Sequence, residues 1–255
     1  MNNTFQARLR LLVIGLVYLW LIAAAISATA ACMTADDLKA RIQEATKGFQ
    51  DMTAVGTVTY KDKDALAKVD SSYTRLYEFK TANVSLKMPD KLRITGKLGM
   101  VKLEYIVNGG FKIVRSPTLR INKKQDYSSD PAKLQTAFDL GLVTPVLWSN
   151  RRIEVVEDPE ADANGEIKLR LQWPKGSMVY TAWIDSKDFW LKRFEKLDDA
   201  GTLIVRMIYS NPQKIGGVIW MPLKVEMFAP DGTKAGASEY SDIKVNTGLA
   251  DSLFQ

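Results

Sequence analysis

The stretch IKLRLQW, residues 167–173, alternates apolar and polar side chains without an interruption. Successive side chains of a β-strand point to opposite faces, so this pattern predicts a strand with one dry face and one solvated face. Strands of this kind are typical of antiparallel sheets, whereas the strands of parallel sheets are apolar on both faces. The stretch therefore predicts an antiparallel sheet that is covered on one side.

Segments of similar composition, separated by short turns, occupy most of the chain on either side. Asn108-Gly109-Gly110 is typical of a tight hairpin, because such turns need positive φ angles. Pro222 stands inside an alternating stretch, which predicts an edge strand or a bulge. About eleven strands, joined mainly by short turns and without a regular alternation of strands and helices, predict a mainly β fold with one antiparallel sheet. The predicted strands cover residues 54–60, 75–88, 91–98, 101–107, 111–115, 167–173, 178–185, 189–197, 202–209, 218–228 and 234–245.

Only a few helices accompany these strands. Thr34 is a good N-cap, and apolar residues follow it at helical spacing as far as Phe49. The segment 131–148 interrupts the strand pattern and predicts a short helix that begins at Pro131 and ends before Pro145. These helices are expected to cover one face of the sheet.

A sheet of this many strands accumulates twist and curls, which leaves a concave dry face that has to be filled. Two interpretations stay open at this point: a core closed by the protein's own helices, and a partly open apolar trough that takes a ligand. Leu98-Gly99-Met100-Val101, between two strands, is either an ordinary hairpin connection or an apolar tip that assists transfer into a membrane. The wall of the trough is expected to comprise Leu92, Ile94, Leu169, Leu171, Trp173, Ile219, Met221 and Leu223.

Residues 1–31 have the layout of a secretory signal peptide, with a basic start, an apolar stretch and a small-residue end. The junction has three interpretations: acylation of Cys32 after a lipobox, ordinary cleavage after Ala30, and an uncleaved membrane span. Cys32 is the only cysteine, and an exported chain has little use for one unpaired thiol. We therefore interpret Cys32 as a lipid attachment site, with residues 1–31 as signal peptide and residues 32–255 as a single domain. Met33 replaces the aspartate of the commonest inner-membrane retention signal, which favours the outer membrane.

The composition limits the chemistry. The chain has no histidine, which excludes the commonest general base and every histidine metal site. Adjacent acids occur at Asp36-Asp37, Glu157-Asp158 and Asp198-Asp199, at a helix start or in turns, where a structural role is expected. No Gly-rich phosphate loop and no nucleophile elbow is present. We expect no catalytic residue, no metal and no cofactor.

The charge distribution gives no sign of a nucleic-acid partner. The net charge is +6, or +4 once Arg8 and Arg10 leave with the signal peptide. The charges are scattered, and no basic stripe coincides with a recognisable nucleic-acid module.

The segment KMPDKLRI, residues 87–94, resembles the "K-x-P-x-x-hydrophobic-R" stretch of the LolA/LolB-like superfamily, the periplasmic carrier and outer-membrane receptor of lipoproteins. Residues 183–185 and 192–194 resemble the family's hairpin in which one strand ends in Asp and its partner carries an Arg. The closing strand and tail of the family are matched by Pro222, residues 242–246 and Leu253-Phe254. The resemblance implies a curved antiparallel half-barrel, lidded by helices around an apolar cavity that takes acyl chains.

These features predict a lipid-anchored protein of the cell envelope, in the outer membrane and facing the periplasm. Its expected ligands are acyl chains of lipoproteins or lipids, and its expected role is lipoprotein or lipid trafficking, with a periplasmic carrier protein as a candidate partner. The alternative is a non-catalytic sensor or scaffold lipoprotein that uses the same fold to bind a protein partner. A carboxylate-dependent hydrolase would need two acids that meet in one cleft.

Overall fold

The computed structural model describes residues 33–69, 74, 77–149, 151–174 and 179–255. Residues 34–255 form one compact unit. The predicted signal peptide and Cys32 lie outside the described residues, so the processing and acylation of this region stay predictions. No helix within the described ranges combines the length and the apolar character needed to cross a bilayer.

Thirteen strands of the described chain form one antiparallel sheet that stays open, as in a half-barrel. Their order is β6-β5-β4-β3-β2-β1-β13-β12-β11-β10-β9-β8-β7. The strands are β1 (Asp51–Lys61), β2 (Thr81–Lys87), β3 (Lys91–Leu98), β4 (Val101–Asn108), β5 (Phe111–Ser116), β6 (Ile121–Asp126), β7 (Arg152–Val156), β8 (Glu166–Gln172), β9 (Val179–Asp185), β10 (Leu191–Leu197), β11 (Leu203–Ile215), β12 (Ile219–Phe228) and β13 (Lys234–Val245).

The first and last strands meet in the middle of the sheet. β1 pairs with β13, where Met52 lies opposite Val245, and every other pairing joins strands that follow each other in the chain. The two edge strands, β6 and β7, are therefore consecutive in sequence. Because they lie at opposite edges, the chain between them, residues 127–151, has to pass from one side of the sheet to the other.

The helical elements with described bounds are short. They are the α-helices α1 (Ala35–Ala45), α2 (Lys63–Val69) and α3 (Pro159–Ala163), and 3₁₀ turns at Pro131–Lys133, Ala137–Leu140, Pro145–Trp148 and Asp251–Phe254. A capping box starts α1: the Thr34 hydroxyl accepts from the Asp37 amide at 3.1 Å, and the Asp37 carboxylate accepts from the Thr34 amide at 3.2 Å. Leu38 and Ile42 of α1 are fully buried.

Most of the strand predictions are confirmed, although β1 and β11 are longer than predicted. Four further differences concern the type or the position of an element. The strand predicted over residues 75–88 is shorter, because Tyr77 and Glu78 form a turn before β2. The helix predicted over residues 131–148 is wrong: the segment holds three 3₁₀ turns, the second of which ends at Gly141 with a left-handed φ of 84°. Two strands, β6 and β7, were not predicted.

The fourth difference concerns Pro222, for which an edge strand or a bulge was predicted: of these two alternatives, the edge strand is wrong. β12 lies between β11 and β13 in the interior of the sheet. Pro222 is opposite Pro212 of β11, and the pairing of β12 with β13 begins only at Lys224. The missing N–H of Pro222 therefore removes no bond from the β12–β13 ladder.

Candidate functional site

The cover segment, which we define as residues 131–148, packs against one face of the sheet, and we call this the inner face. Leu134, Ala137, Leu140 and Leu142 of the cover segment share one apolar cluster with residues of β1 to β4 and β12. Gly141 makes the closest approach: a Cβ at this position would lie 2.6 Å from the Pro222 ring and 3.1 Å from the Tyr209 ring. Only a residue without a side chain lets the cover segment lie this close to β11 and β12.

The predicted wall residues are found on both sides of the sheet's centre. Ile94 and Leu223 are half-buried. Ile94 packs against the cluster that contains Leu92, Ile219 and Met221. The other three, Leu169, Leu171 and Trp173, belong to β8 and the residue after it, next to the edge strand β7. The structure therefore divides the predicted wall into two groups. Six of its members are buried: Leu92, Leu169, Leu171, Trp173, Ile219 and Met221.

A tyrosine of the sheet makes a polar contact with the cover segment. The Tyr105 hydroxyl of β4 hydrogen-bonds to the backbone of Gln135, and burial raises the pKa of Tyr105 to about 12. The side-chain Oε1 of Gln135 and the indole Nε1 of Trp148 are buried without a hydrogen-bond partner. An unpaired buried polar atom costs about 1–3 kcal/mol. The position of the cover segment therefore leaves two buried polar atoms without hydrogen bonds.

An aromatic group closes the β8 end of the inner face. Phe138 of the cover segment meets Phe194 of β10 edge to face, with ring centroids 5.6 Å apart. Tyr180 of β9 stacks on Phe194 at 5.7 Å. The Trp173 indole hydrogen-bonds to the Tyr180 hydroxyl, and burial is the main reason that the pKa of Tyr180 is raised. Arg151 lies on this group, with its guanidinium carbon 4.4 Å from the Trp173 ring centroid.

The opposite, outer face of the same strands is polar. On β8 and β10, Lys168 pairs with Asp158 at 2.8 Å and Lys192 pairs with Glu166 at 2.9 Å. The guanidinium of Arg193 lies 3.6 Å from the centroid of the Trp183 ring. Alternation along each strand thus separates an apolar inner face from a charged outer face.

A cleft of about 310 Å³ opens on this outer face beside α3. Trp183 and Arg193 line it together with Asp158, Glu166, Lys192 and Ile208. The Nε atom of Arg193 is buried without a hydrogen-bond partner. The cleft is therefore a second place where a ligand could contact a buried polar atom that lacks a hydrogen-bond partner.

The tail, which we define as residues 247–254, crosses the outer face at the other half of the sheet. Asp51 is 2% exposed and accepts hydrogen bonds from the Thr247, Gly248 and Leu249 amides at 2.7–3.2 Å. Burial opposes the ionisation of Asp51, but these bonds outweigh it and lower the pKa. Phe254 is fully buried against Ile106 and Ile113. The tail closes this half of the outer face.

The turn between β3 and β4 leaves Met100 94% exposed. This is the stretch considered as an apolar tip, and the structure shows a two-residue hairpin connection, Gly99-Met100, with an apolar side chain in solvent. Its use in membrane transfer stays a prediction.

One acid of each adjacent pair has a structural role. The Asp37 carboxylate accepts from the Thr34 amide at the start of α1, Asp158 accepts from the first amides of α3, and Asp198 accepts from the Ala200 and Thr202 amides in the turn before β11. Among the described residues, no group of three or more Cys, Asp, Glu or His side chains is placed to hold a metal ion.

Sequence reasoning missed Arg151, Phe138 and Phe194 at the inner face, and it missed the outer-face cleft. Phe138 lies inside the segment that was predicted as a helix, and Arg151 follows that segment. Their contacts with β10 and with Trp173 at the end of β8 therefore depend on how the segment crosses the sheet. Trp173 and the alternation of β8 were the available signals. They indicate which face is dry, but they do not indicate what covers it.

No protein-family model matches the chain, and no curated protein matches it by sequence. Solved structures do match. A domain assigned to an outer membrane lipoprotein-sorting protein from Vibrio parahaemolyticus is 12% identical, with a TM-score of 0.61 over 86% of this chain and 95% of that one. A LolA superfamily protein from Nitrosomonas europaea is 16% identical, with a TM-score of 0.56 over 87% and 97% of the two chains.

A DUF1329 family protein from Desulfovibrio piger is 15% identical, with a TM-score of 0.53 over 86% of this chain and 95% of that one. Identities this low carry information on the fold alone. The open antiparallel sheet and its similarity to these three structures show that the chain has the LolA-like fold.

Proposed function

We propose that this protein binds acyl chains of lipoproteins or lipids on the inner face of its sheet and takes part in outer-membrane lipoprotein or lipid trafficking. In this proposal acylated Cys32 anchors it in the cell envelope, facing the periplasm, and the protein has no catalytic role. The predicted wall residues, Leu92, Ile94, Leu169, Leu171, Trp173, Ile219, Met221 and Leu223, contact the acyl chain once the cover segment moves.

One observation carries the proposal. The cover segment, residues 131–148, shares an apolar cluster with the inner face and buries Gln135 Oε1 and Trp148 Nε1 without hydrogen-bond partners. An acyl chain can replace the apolar contacts of this segment, because such contacts require no hydrogen-bond geometry. The same exchange lets the two polar atoms reach water.

The transfer free energy of an acyl chain sets the scale of this exchange. Each buried methylene contributes about 0.8 kcal/mol, so a chain of about 16 carbons has a gross transfer energy on the order of 10 kcal/mol. Displacement of Leu134, Ala137, Leu140 and Leu142 from the cluster offsets part of it. The balance permits extraction of an acyl chain and its later release.

The test uses a form that begins at Met33, which contains the whole compact unit of residues 34–255. Native mass spectrometry of this form is expected to show co-purified lipid. After delipidation, the protein should take up a fluorescent fatty acid that unlabelled palmitate displaces. A protein that carries no lipid and takes up none would contradict the proposal.

The anchor has its own test. Palmitate labelling of the full chain is expected to disappear in Cys32→Ser and to precede cleavage by the lipoprotein signal peptidase. Equal labelling of both forms would show that the junction is not a lipobox, while the inner-face proposal would stand.

A second candidate function, binding of a protein partner, is favoured by the outer-face cleft, where Arg193 stacks on Trp183 and keeps a buried Nε without a partner. A photo-crosslinker at Ile208 is expected to capture a stoichiometric partner if this function holds. Arg193→Gln should abolish the product, whereas Arg170→Gln, on the exposed part of β8, should not. A product that survives Arg193→Gln counts against the cleft.

A further inference from the structure

Arg151 is a mostly buried arginine at the end of the inner face. It follows the cover segment and precedes the edge strand β7. Its guanidinium carbon lies 4.4 Å from the Trp173 ring centroid and 5.8 Å from the Phe138 ring centroid. The group thus lies between a predicted wall residue and a residue of the cover segment, where the two surfaces meet.

Its surroundings hold the guanidinium in one place. The Trp173 indole is itself oriented by its hydrogen bond to Tyr180. A guanidinium stacks on an aromatic face through cation–π attraction, and stacking leaves its N–H edges free to take a planar anion in two hydrogen bonds. Arg151 is therefore positioned as an anion receptor rather than as a flexible surface charge.

The described residues supply no close counter-ion for this charge. The charged group that acts on Arg151 is Asp139, at a distance beyond an ion pair, and burial lowers the pKa of Arg151. The Asp139 carboxylate is occupied by the Thr136 amide at 2.7 Å and the Thr136 hydroxyl at 3.0 Å. A desolvated charge of this kind is expensive to keep unless a partner neutralises it.

We propose that Arg151 is the headgroup site of the inner face, and that the ligand is an anionic amphiphile with one carboxylate or phosphate next to its acyl chain; this rests on the acyl-chain binding proposed above. The acyl chain lies along Leu171 and Leu169 of β8, and the anion meets Arg151 beside Trp173. Neutral lipids with the same chain occupy the wall without this contact.

The experiment measures displacement of a neutral fluorescent acyl probe from the form that begins at Met33. The competitors are palmitate, hexadecyl phosphate and 1-hexadecanol, which share the chain length and differ in the headgroup. The variants are Arg151→Met and Arg151→Lys. Arg152→Met is the matched control, since Arg152 is the next residue and is exposed. The circular dichroism spectrum of each variant is compared with that of the wild type.

The wild type is expected to bind at least one of the two anions about tenfold or more tighter than 1-hexadecanol, the size of one charge-assisted hydrogen bond. Whichever anion is preferred identifies the headgroup as carboxylate or phosphate. Arg151→Met should lose the preference for the anions over 1-hexadecanol. Arg151→Lys should keep part of this preference, and Arg152→Met should keep all of it.

Equal affinity of the wild type for all three competitors overturns the headgroup site and leaves acyl-chain binding intact. A preference that survives in Arg151→Met, or in Arg151→Lys to the full wild-type extent if Arg151→Met does not fold, overturns it as well. Failure of the wild type to bind any competitor overturns the proposed function and this inference together.

Discussion

Leu169 and Lys168 are neighbours on β8, yet their side chains meet opposite surroundings. Leu169 is fully buried on the inner face, whereas Lys168 forms an ion pair with Asp158 on the outer face. The inner face is closed by apolar contacts with the cover segment, and the outer face is closed by ion pairs, a short helix and the tail. The difference teaches that alternation along a strand lets one sheet be closed by apolar contacts on one side and by directional bonds on the other.

The largest effect should come from the inner face of β8. Leu169→Ala is expected to lower the free energy of unfolding by about 2–5 kcal/mol, since a fully buried leucine is replaced by a cavity. Arg170→Ala, at an exposed outer-face position of the same strand, should change it by less than about 0.5 kcal/mol. Urea denaturation measures both, and similar losses would mean that the two faces are not divided as described.

The second-largest effect on stability should come from the hydrogen bonds that hold the tail. Asp51→Asn is expected to lower the free energy of unfolding by about 2 kcal/mol, because an amide group now faces backbone N–H donors that a carboxylate had satisfied. The measurement is chemical denaturation followed by tryptophan fluorescence. Unchanged stability would show that the three amides of residues 247–249 find other acceptors.

The contact of the cover segment can be tested with two glycines of equal φ. Gly141 and Gly232 both have φ +84°, but a Cβ at Gly232 would meet nothing within 4 Å. Gly141→Ala should therefore destabilise the fold by about 1–3 kcal/mol more than Gly232→Ala, since it adds a steric overlap to the same backbone strain.

The same pair sharpens the functional proposal. Because Gly141→Ala pushes the cover segment away from Pro222 and Tyr209, this variant should take up a fluorescent fatty acid faster than Gly232→Ala, as measured by stopped-flow fluorescence. Equal uptake rates would indicate that the acyl chain does not pass beneath the cover segment.

The smallest effect concerns pH. The Asp251 carboxylate accepts hydrogen bonds from Lys87 and Lys91. These two lysines lower its pKa from 3.8 to about 2. A carboxyl with a depressed folded-state pKa stabilises the folded state above its unfolded pKa, and this contribution is lost as the pH falls through the folded value. Docking of the tail should therefore weaken as the pH falls from 3.8 towards about 2.

NMR chemical shifts of the Ile113 methyl groups, which pack against Phe254, would follow this release. Asp251→Asn should remove part of the pH dependence, and Asp242→Asn, at an exposed position of β13, is the control. Identical titration of the two variants would show that Asp251 does not hold the tail.

The strands that could be predicted are those with a clear alternation. IKLRLQW became β8 within one residue at each end, and residues 91–98 became β3 without change. β6, with the sequence INKKQD, escaped prediction because an edge strand has one neighbour and needs no dry face. The prediction of an edge strand at Pro222 was wrong because a proline is also tolerated inside a sheet where no partner needs its N–H. Whether that holds depends on Pro212 across the sheet and on the residue at which the β12–β13 pairing begins.

The sequence by itself determined which side chains of each strand share a face of the sheet. The side chains of a strand alternate with a period of two, whatever partner the strand pairs with. It also determined the absence of histidine chemistry. Only the tertiary structure decided what covers the dry face, because the path of residues 127–151 follows from β6 and β7 lying at opposite edges of the sheet. For the same reason, only the fold could bring Arg151, Phe138 and Trp173 together, since long-range pairing rather than local spacing places them in contact.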